Sequence, residues 1–227
     1  MTMDADVEAG QAIYTPATLK AYDWFVLGFS NRLLWRCPTG HLRDLYARNV
    51  GARHLDIGVG TGYFLDTAPW PAPRPDITLV DLNAHSLAAA ARRIARFSPQ
   101  TVTANCLEPL PVTGGFSSIA LGYLLHCLPG SIAGKAVVFD HAAPLLAPDG
   151  VLFGATILQG DAPRSAPARA LMKFYNKKGV FSNAADTFQD LVFQLESRFA
   201  DVMTRRIGAV ALFEARRPFC ASRRNSD

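Results

Sequence analysis

The sequence predicts an α/β fold, a doubly wound sheet of seven strands that is mostly parallel and ends on an antiparallel strand. Three observations predict it. Short apolar runs rich in β-branched residues alternate with helical stretches from residue 53 to residue 158, and such alternation calls for a parallel sheet with helices on both faces. The first run leads straight into Gly58-Val59-Gly60-Thr61-Gly62, a glycine loop between a strand and a helix. The last two runs, 202–207 and 210–214, are separated only by a short break at Gly208, which makes them a hairpin and reverses the final strand.

The 227 residues suffice for one well-buried domain with additions. We expect residues 1–50 to form a helical cap of that domain, and residues 51–227 its core, with a lid at about 160–181. Residues up to Tyr14 lack periodicity, and Thr15-Pro16 has the pattern of a helix start, with Thr15 as N-cap and Pro16 in the first turn. Helical patterning continues over 20–25, resumes over 31–35 and is interrupted by Pro38; a further helix is expected over 41–48.

The first strand is placed at 53–57 and a helix at 62–67, followed by a second strand at 77–81 that ends in Asp81. A helix of good propensity fills 86–97, a third strand 101–105 and a fourth 118–122. After the turn at Pro129-Gly130 a helix is expected over 135–146, and Pro148-Asp149-Gly150 turns into the fifth strand, 151–158. Residues 160–179 leave the alternation; they contain a proline-rich loop and an amphipathic stretch at 169–175. Ser182 is expected to cap a helix over 183–199.

Composition narrows the class of function. No apolar run approaches the ~20 residues of a membrane span, and the N-terminus lacks a basic region followed by an apolar core, so a cytoplasmic protein is expected. The four cysteines are scattered without a CxxC pair, which argues against a zinc site and a disulfide framework; no metal is expected. The net charge of +4 owes much to terminal arginines, which makes nucleic acid an unlikely partner. A small-molecule partner is expected, for a monomer or a homodimer.

Two ligands compete for the glycine loop. A dinucleotide site wants GxGxxG with its helix N-terminus facing a pyrophosphate, but Tyr63 stands where the third glycine would be. Asp56, just before the glycines, would repel a pyrophosphate and suit a ligand carrying an ammonium and a sulfonium.

At these residues the chain resembles the class I S-adenosylmethionine-dependent methyltransferases, of Rossmann-like fold. Asp56-Ile57-Gly58-Val59-Gly60-Thr61-Gly62 is similar to the family's first motif, whose backbone holds the methionine part of the cofactor. Asp81 stands where an acid grips both ribose hydroxyls, with Leu82 beside the adenine. Ala104-Asn105-Cys106 stands where Gly-Asp-Ala is common, and the Asn105 side-chain oxygen can take over acceptance from the adenine amino group. The stretch from Phe116 to Pro129 resembles the motif FDxVxxxxxLHHLP, with Ser117 for Asp and Cys127 for the second His. Leu146-Ala147-Pro148-Asp149-Gly150 matches the family's LxPGG turn, and the terminal hairpin fits its reversed seventh strand.

The resemblance implies S-adenosyl-L-methionine as cofactor, held by Asp56, Gly58, Gly60, Gly62, Asp81, Leu82, Asn105, Cys106, Gly122 and Tyr22. His126 and Tyr123 are the catalytic candidates, with packing in the short helix as the alternative for His126. Tyr14, Trp35, Tyr175 and Asn176 are the candidates for lining the acceptor pocket. His54 is expected on the sheet's flank. Methyl transfer to an O or N atom of a small molecule of specialised metabolism is the expected activity. A tRNA or protein methyltransferase and an inactive cofactor-binding scaffold are the alternatives.

Overall fold

The computed structural model describes residues 30–160 and 165–219. Residues 30–34 form a π-helical turn, with Trp35 N–H donating to the Ser30 carbonyl at 2.9 Å, and α1 (Gly40–Asn49) follows. The alternation then runs β1 (Arg53–Ile57), α2 (Tyr63–Thr67), β2 (Asp76–Asp81), α3 (Ala84–Arg93), β3 (Gln100–Thr103) and β4 (Phe116–Gly122). It continues through α4 (Ile132–Lys135), α5 (Val137–Ala142), β5 (Leu146–Ile157), α6 (Ala166–Lys177), α7 (Phe188–Glu196), β6 (Phe199–Ile207) and β7 (Val210–Pro218).

The seven strands order as β3-β2-β1-β4-β5-β7-β6, parallel except for β7, which runs against both neighbours. The order reverses between β1 and β4, and the crevice beyond their carboxyl ends is where open α/β sheets bind ligands. Leu55, Ile57, Leu79, Ile119, Leu121 and Phe153 are all buried, as expected of strands covered on both faces.

Four expectations are corrected in detail. The helix placed at 86–97 begins earlier, because the Asn83 side chain accepts from the backbone of His85 and Ser86; its C-terminal part becomes a 3-10 turn, Ala95–Phe97. The helix placed at 135–146 breaks into α4, α5 and a 3-10 turn that holds Pro144. Ser182 is not a cap: α7 starts at Phe188 with Thr187 as N-cap, its hydroxyl accepting from Asp190 N–H at 3.1 Å. Residues before it are held by tertiary bonds instead, since the Asn183 side chain donates to the Ile157 carbonyl and Asp186 pairs with the buried Lys135. Finally, His54 is fully buried in the core rather than lying on the flank.

Among the described residues no helix is long and apolar enough to cross a membrane. They also contain no cluster of three or more His, Cys, Asp or Glu side chains that could hold a metal ion.

Candidate active site

The site begins where β1 ends. Gly58, Gly60 and Gly62 all have positive φ, and the loop is tied back by Gly58 N–H to the Val80 carbonyl (2.8 Å) and Gly62 N–H to the Val59 carbonyl (3.0 Å). A Cβ on Gly60 would meet nothing within 4 Å, whereas one on Gly62 would stand 3.0 Å from the Ala90 Cα. Gly60 therefore leaves room for a ligand, and Gly62 lets α3 close against the loop.

Two carboxylates flank this loop. Asp56, in β1, is buried, and the Tyr46 hydroxyl from α1 donates to its Oδ2 at 3.1 Å. Burial and the adjacent carboxylate hold the Tyr46 phenol well above its ordinary pKa, so it stays a donor. Asp81 ends β2; its Oδ1 accepts from Asn83 N–H at 2.8 Å, and the backbones of Gly60 and Val59 donate to the same carboxylate. Burial nevertheless pushes Asp81 up to about 6, the three backbone donors only partly offsetting the lost hydration.

Around them lies an open cleft. Its lining includes Asp56, Gly58, Gly60, Gly62, Asp81, Leu82, Asn105, Cys106, Gly122 and Tyr123 from the expected set. Asn105 also closes a turn, its Oδ1 accepting from Leu107 N–H at 3.1 Å, which leaves one lone pair for a ligand. Burial pushes the Cys106 thiol up to about 12, so it lines the cleft as a neutral group. Tyr123 holds a strained φ of 61° and donates its hydroxyl to Asn31 Oδ1 at 3.0 Å. The lining carries two carboxylates, Asp56 and Asp81, and no lysine or arginine among its described residues.

Four candidates stand elsewhere. His126 is 3 % exposed and not part of the lining: its ring packs between Tyr123 and Phe181, and its Nδ1 accepts from Ile157 N–H at 3.3 Å. Burial, reinforced by the Lys135 charge, pushes its pKa down to about 3. Trp35 is buried against Phe181, and Tyr175 packs on the same ring. Asn176 is occupied in bonds to Gln159, Met172 and Asn183. Tyr14 and Tyr22 lie outside the described residues.

Sequence reasoning missed Tyr46, Phe64, Leu124 and Leu128, which also line the cleft. The fourth-strand motif contains Leu124 and Leu128 and was the available signal for them. Tyr46 gave none, because its role depends on how α1 packs against α2 and β5, where its ring meets Phe64 and Phe153.

Residues 55–152 match a family model described as a methyltransferase domain. Demethylluteothin O-methyltransferase of Streptomyces thioluteus is 44% identical over 214 residues, covering 94% of this chain and 93% of that protein. The physcion biosynthesis cluster O-methyltransferase of Aspergillus chevalieri is 39% identical over 214 residues, covering 93% and 96%. Among solved structures, the DhpI–SAH complex shares the fold with a TM-score of 0.64 at 13% identity, covering 95% of this chain and 96% of that one.

Proposed function

The chain belongs to the class I S-adenosylmethionine-dependent methyltransferases, and on that premise we propose that it methylates an oxygen or nitrogen of a small, largely apolar acceptor in specialised metabolism. The observation that carries the reading is the charge of the cleft: two carboxylates and no cation in its described lining. Such a lining suits a ligand with an ammonium, a sulfonium and a ribose diol, and it repels a pyrophosphate. The names of the two relatives at 44% and 39% identity favour oxygen as the acceptor atom.

S-adenosylmethionine, when bound, supplies a sulfonium-activated methyl that leaves by in-line displacement. The protein's part is to bind, align and exclude water. In this reading Asp81 accepts from the ribose diol, Leu82 and Asn105 meet the adenine, and Asp56 holds the amino-acid end. Gly122 and Tyr123, at the end of β4, face the transfer. Placing a bulky residue there is costly, because a Cβ on Gly122 would stand 2.4 Å from the Tyr46 hydroxyl.

His126 supports Tyr123 from beneath rather than serving as the base. Its lowered pKa and buried ring make it a poor proton acceptor for a substrate in the cleft. We assign the cap role to residues 1–50 and the lid role to about 160–181, in a cytoplasmic enzyme acting as monomer or homodimer.

The test is turnover with methyl-labelled S-adenosylmethionine on a panel of phenols, enols and amines, with mass spectrometry locating the methyl group. Methylation of a phenol or enol oxygen is expected. Binding of NAD in place of S-adenosylmethionine would overturn the reading.

A further inference from the structure

Behind the glycine loop lies a buried polar chain, Gly51, Ser118 and His54, that leads to one of the cofactor contacts above, Asp56. His54 and Asp56 are two residues apart on β1, so both side chains leave the same face of the sheet. They are 0 % and 2 % exposed. In the β1–β4 ladder His54 stands opposite Ser118, which puts the Ser118 hydroxyl 2.7 Å from His54 Nδ1. That hydroxyl oxygen also accepts from Gly51 N–H at 2.8 Å. The rings of Trp70 and Phe153 pack on the imidazole and fix its plane.

His54 Nε2 is the loose end. It is buried without a hydrogen-bond partner, and it lies 3.6 Å from Asp56 Oδ2, just beyond hydrogen-bond range. A buried orphan of this kind calls for a reason. The network supplies the tautomer. Because Ser118 already accepts from Gly51, its own proton is free to be donated to Nδ1, and a neutral imidazole then carries its proton on Nε2. The opposite tautomer would turn the Nε2 lone pair on a carboxylate oxygen, which is repulsive.

We infer that His54 is a positioning residue that acts through Asp56: with Tyr46 it aims two donors at Oδ2 and so sets the carboxylate that receives the ammonium end of the methyl donor. The inference rests on the S-adenosylmethionine reading of the cleft. Two hydrogen bonds, Gly51 N–H to Ser118 and Ser118 to His54, polarise each other, and the chain ends in the 3.6 Å approach of His54 Nε2 to Asp56 Oδ2. No proton is transferred along it. Because Asp81, and not Asp56, serves the ribose, His54 affects affinity for the amino-acid half of the ligand and leaves the nucleoside half alone.

Isothermal calorimetry with two probes separates these halves: S-adenosylhomocysteine, which has the amino-acid part, and 5′-methylthioadenosine, which lacks it. Replacing His54→Leu is expected to weaken S-adenosylhomocysteine about tenfold, the scale of one charge-assisted hydrogen bond, while methylthioadenosine changes by less than about twofold. His54→Gln, which returns an amide donor near the Nε2 position, is expected to restore most of that affinity. Ser118→Ala, a smaller change that spares the core, is expected to cost about threefold on the first probe only, and it decides the matter if the leucine variant fails to fold. Equal losses on both probes, or no loss in folded variants, would overturn the role of His54. If the wild-type protein bound neither probe, the S-adenosylmethionine reading would fall, and the His54 role with it.

Discussion

Replacing Asp81→Asn is expected to make the unliganded protein more stable and a worse binder. Burial raises the carboxyl from an ordinary value near 4 to about 6, so the folded state favours its protonated form. Its stability contribution is therefore intact below about pH 4, falls as pH rises toward 6, and above that the buried charge costs about 3 kcal/mol. Asparagine removes the charge and still accepts from Asn83 N–H through its oxygen, but its amide NH₂ confronts the backbone donors of Gly60 and Val59. Allowing for that conflict, a net gain of about 1–2 kcal/mol remains, or roughly 3–6 °C in Tm for a chain of this size.

Cofactor affinity moves the other way. The ribose diol loses a charged acceptor, which costs about 3 kcal/mol, or roughly a hundredfold in Kd. Thermal melts of both proteins from pH 4 to pH 8, with and without S-adenosylhomocysteine, read both effects. The variant should be the less stable protein by about 1–2 kcal/mol at pH 4, overtake the wild type between pH 4 and 6 and keep a constant lead above. A gap independent of pH, or a wild-type protein more stable than the variant at pH 8, would refute the burial argument; an unchanged ligand-induced shift would remove Asp81 from the ribose.

The glycine loop separates binding from folding. Gly60→Ala should cost only about 1–2 kcal/mol of stability, from its φ of +52°, yet largely abolish the ligand-induced melting shift, because the methyl enters the open cradle. Gly62→Ala, at φ +72° and crowded by Ala90, should lower the unliganded melting temperature further, and the reverse order would contradict the assignment. Lys135→Met leaves the buried Asp186 without its partner and should cost about 3–5 kcal/mol in urea denaturation, with Asp186→Leu in the same chain recovering most of it. A loss below about 1 kcal/mol in the single variant would show that the pair is not the tie between α4 and the loop before α7.

Much of the architecture was written locally. The run from Arg53 to Ile57 matches β1 residue for residue, since Leu55 and Ile57 alternate along it and the glycine that follows needs positive φ, which ends the strand. The break at Gly208, φ +57°, likewise set the final hairpin and so the reversed β7. Asp56 and Asp81 were legible for a related reason: each sits next to the turn that ends or follows its strand, and backbone geometry carries it to the mouth of the sheet.

What could not be read depends on partners distant in the chain. Tyr46 reaches Asp56 only because α1 packs against α2 and β5, and His54 meets Ser118 only through the β1–β4 register across 64 residues. His126 looked like a residue of the site from its motif, yet Phe181 covers its ring and Ile157 engages its nitrogen. Ser182 gave way to Thr187 as the helix cap because the segment between them is anchored to Lys135 and to the end of β5. A dihedral preference belongs to one residue and its neighbours, so a strand, a glycine loop and a terminal carboxylate can be found from the chain alone. Burial and the pairing of polar atoms belong to surfaces that meet only when the sheet has closed, and in this protein they determine which side chains serve the cleft and which merely support it.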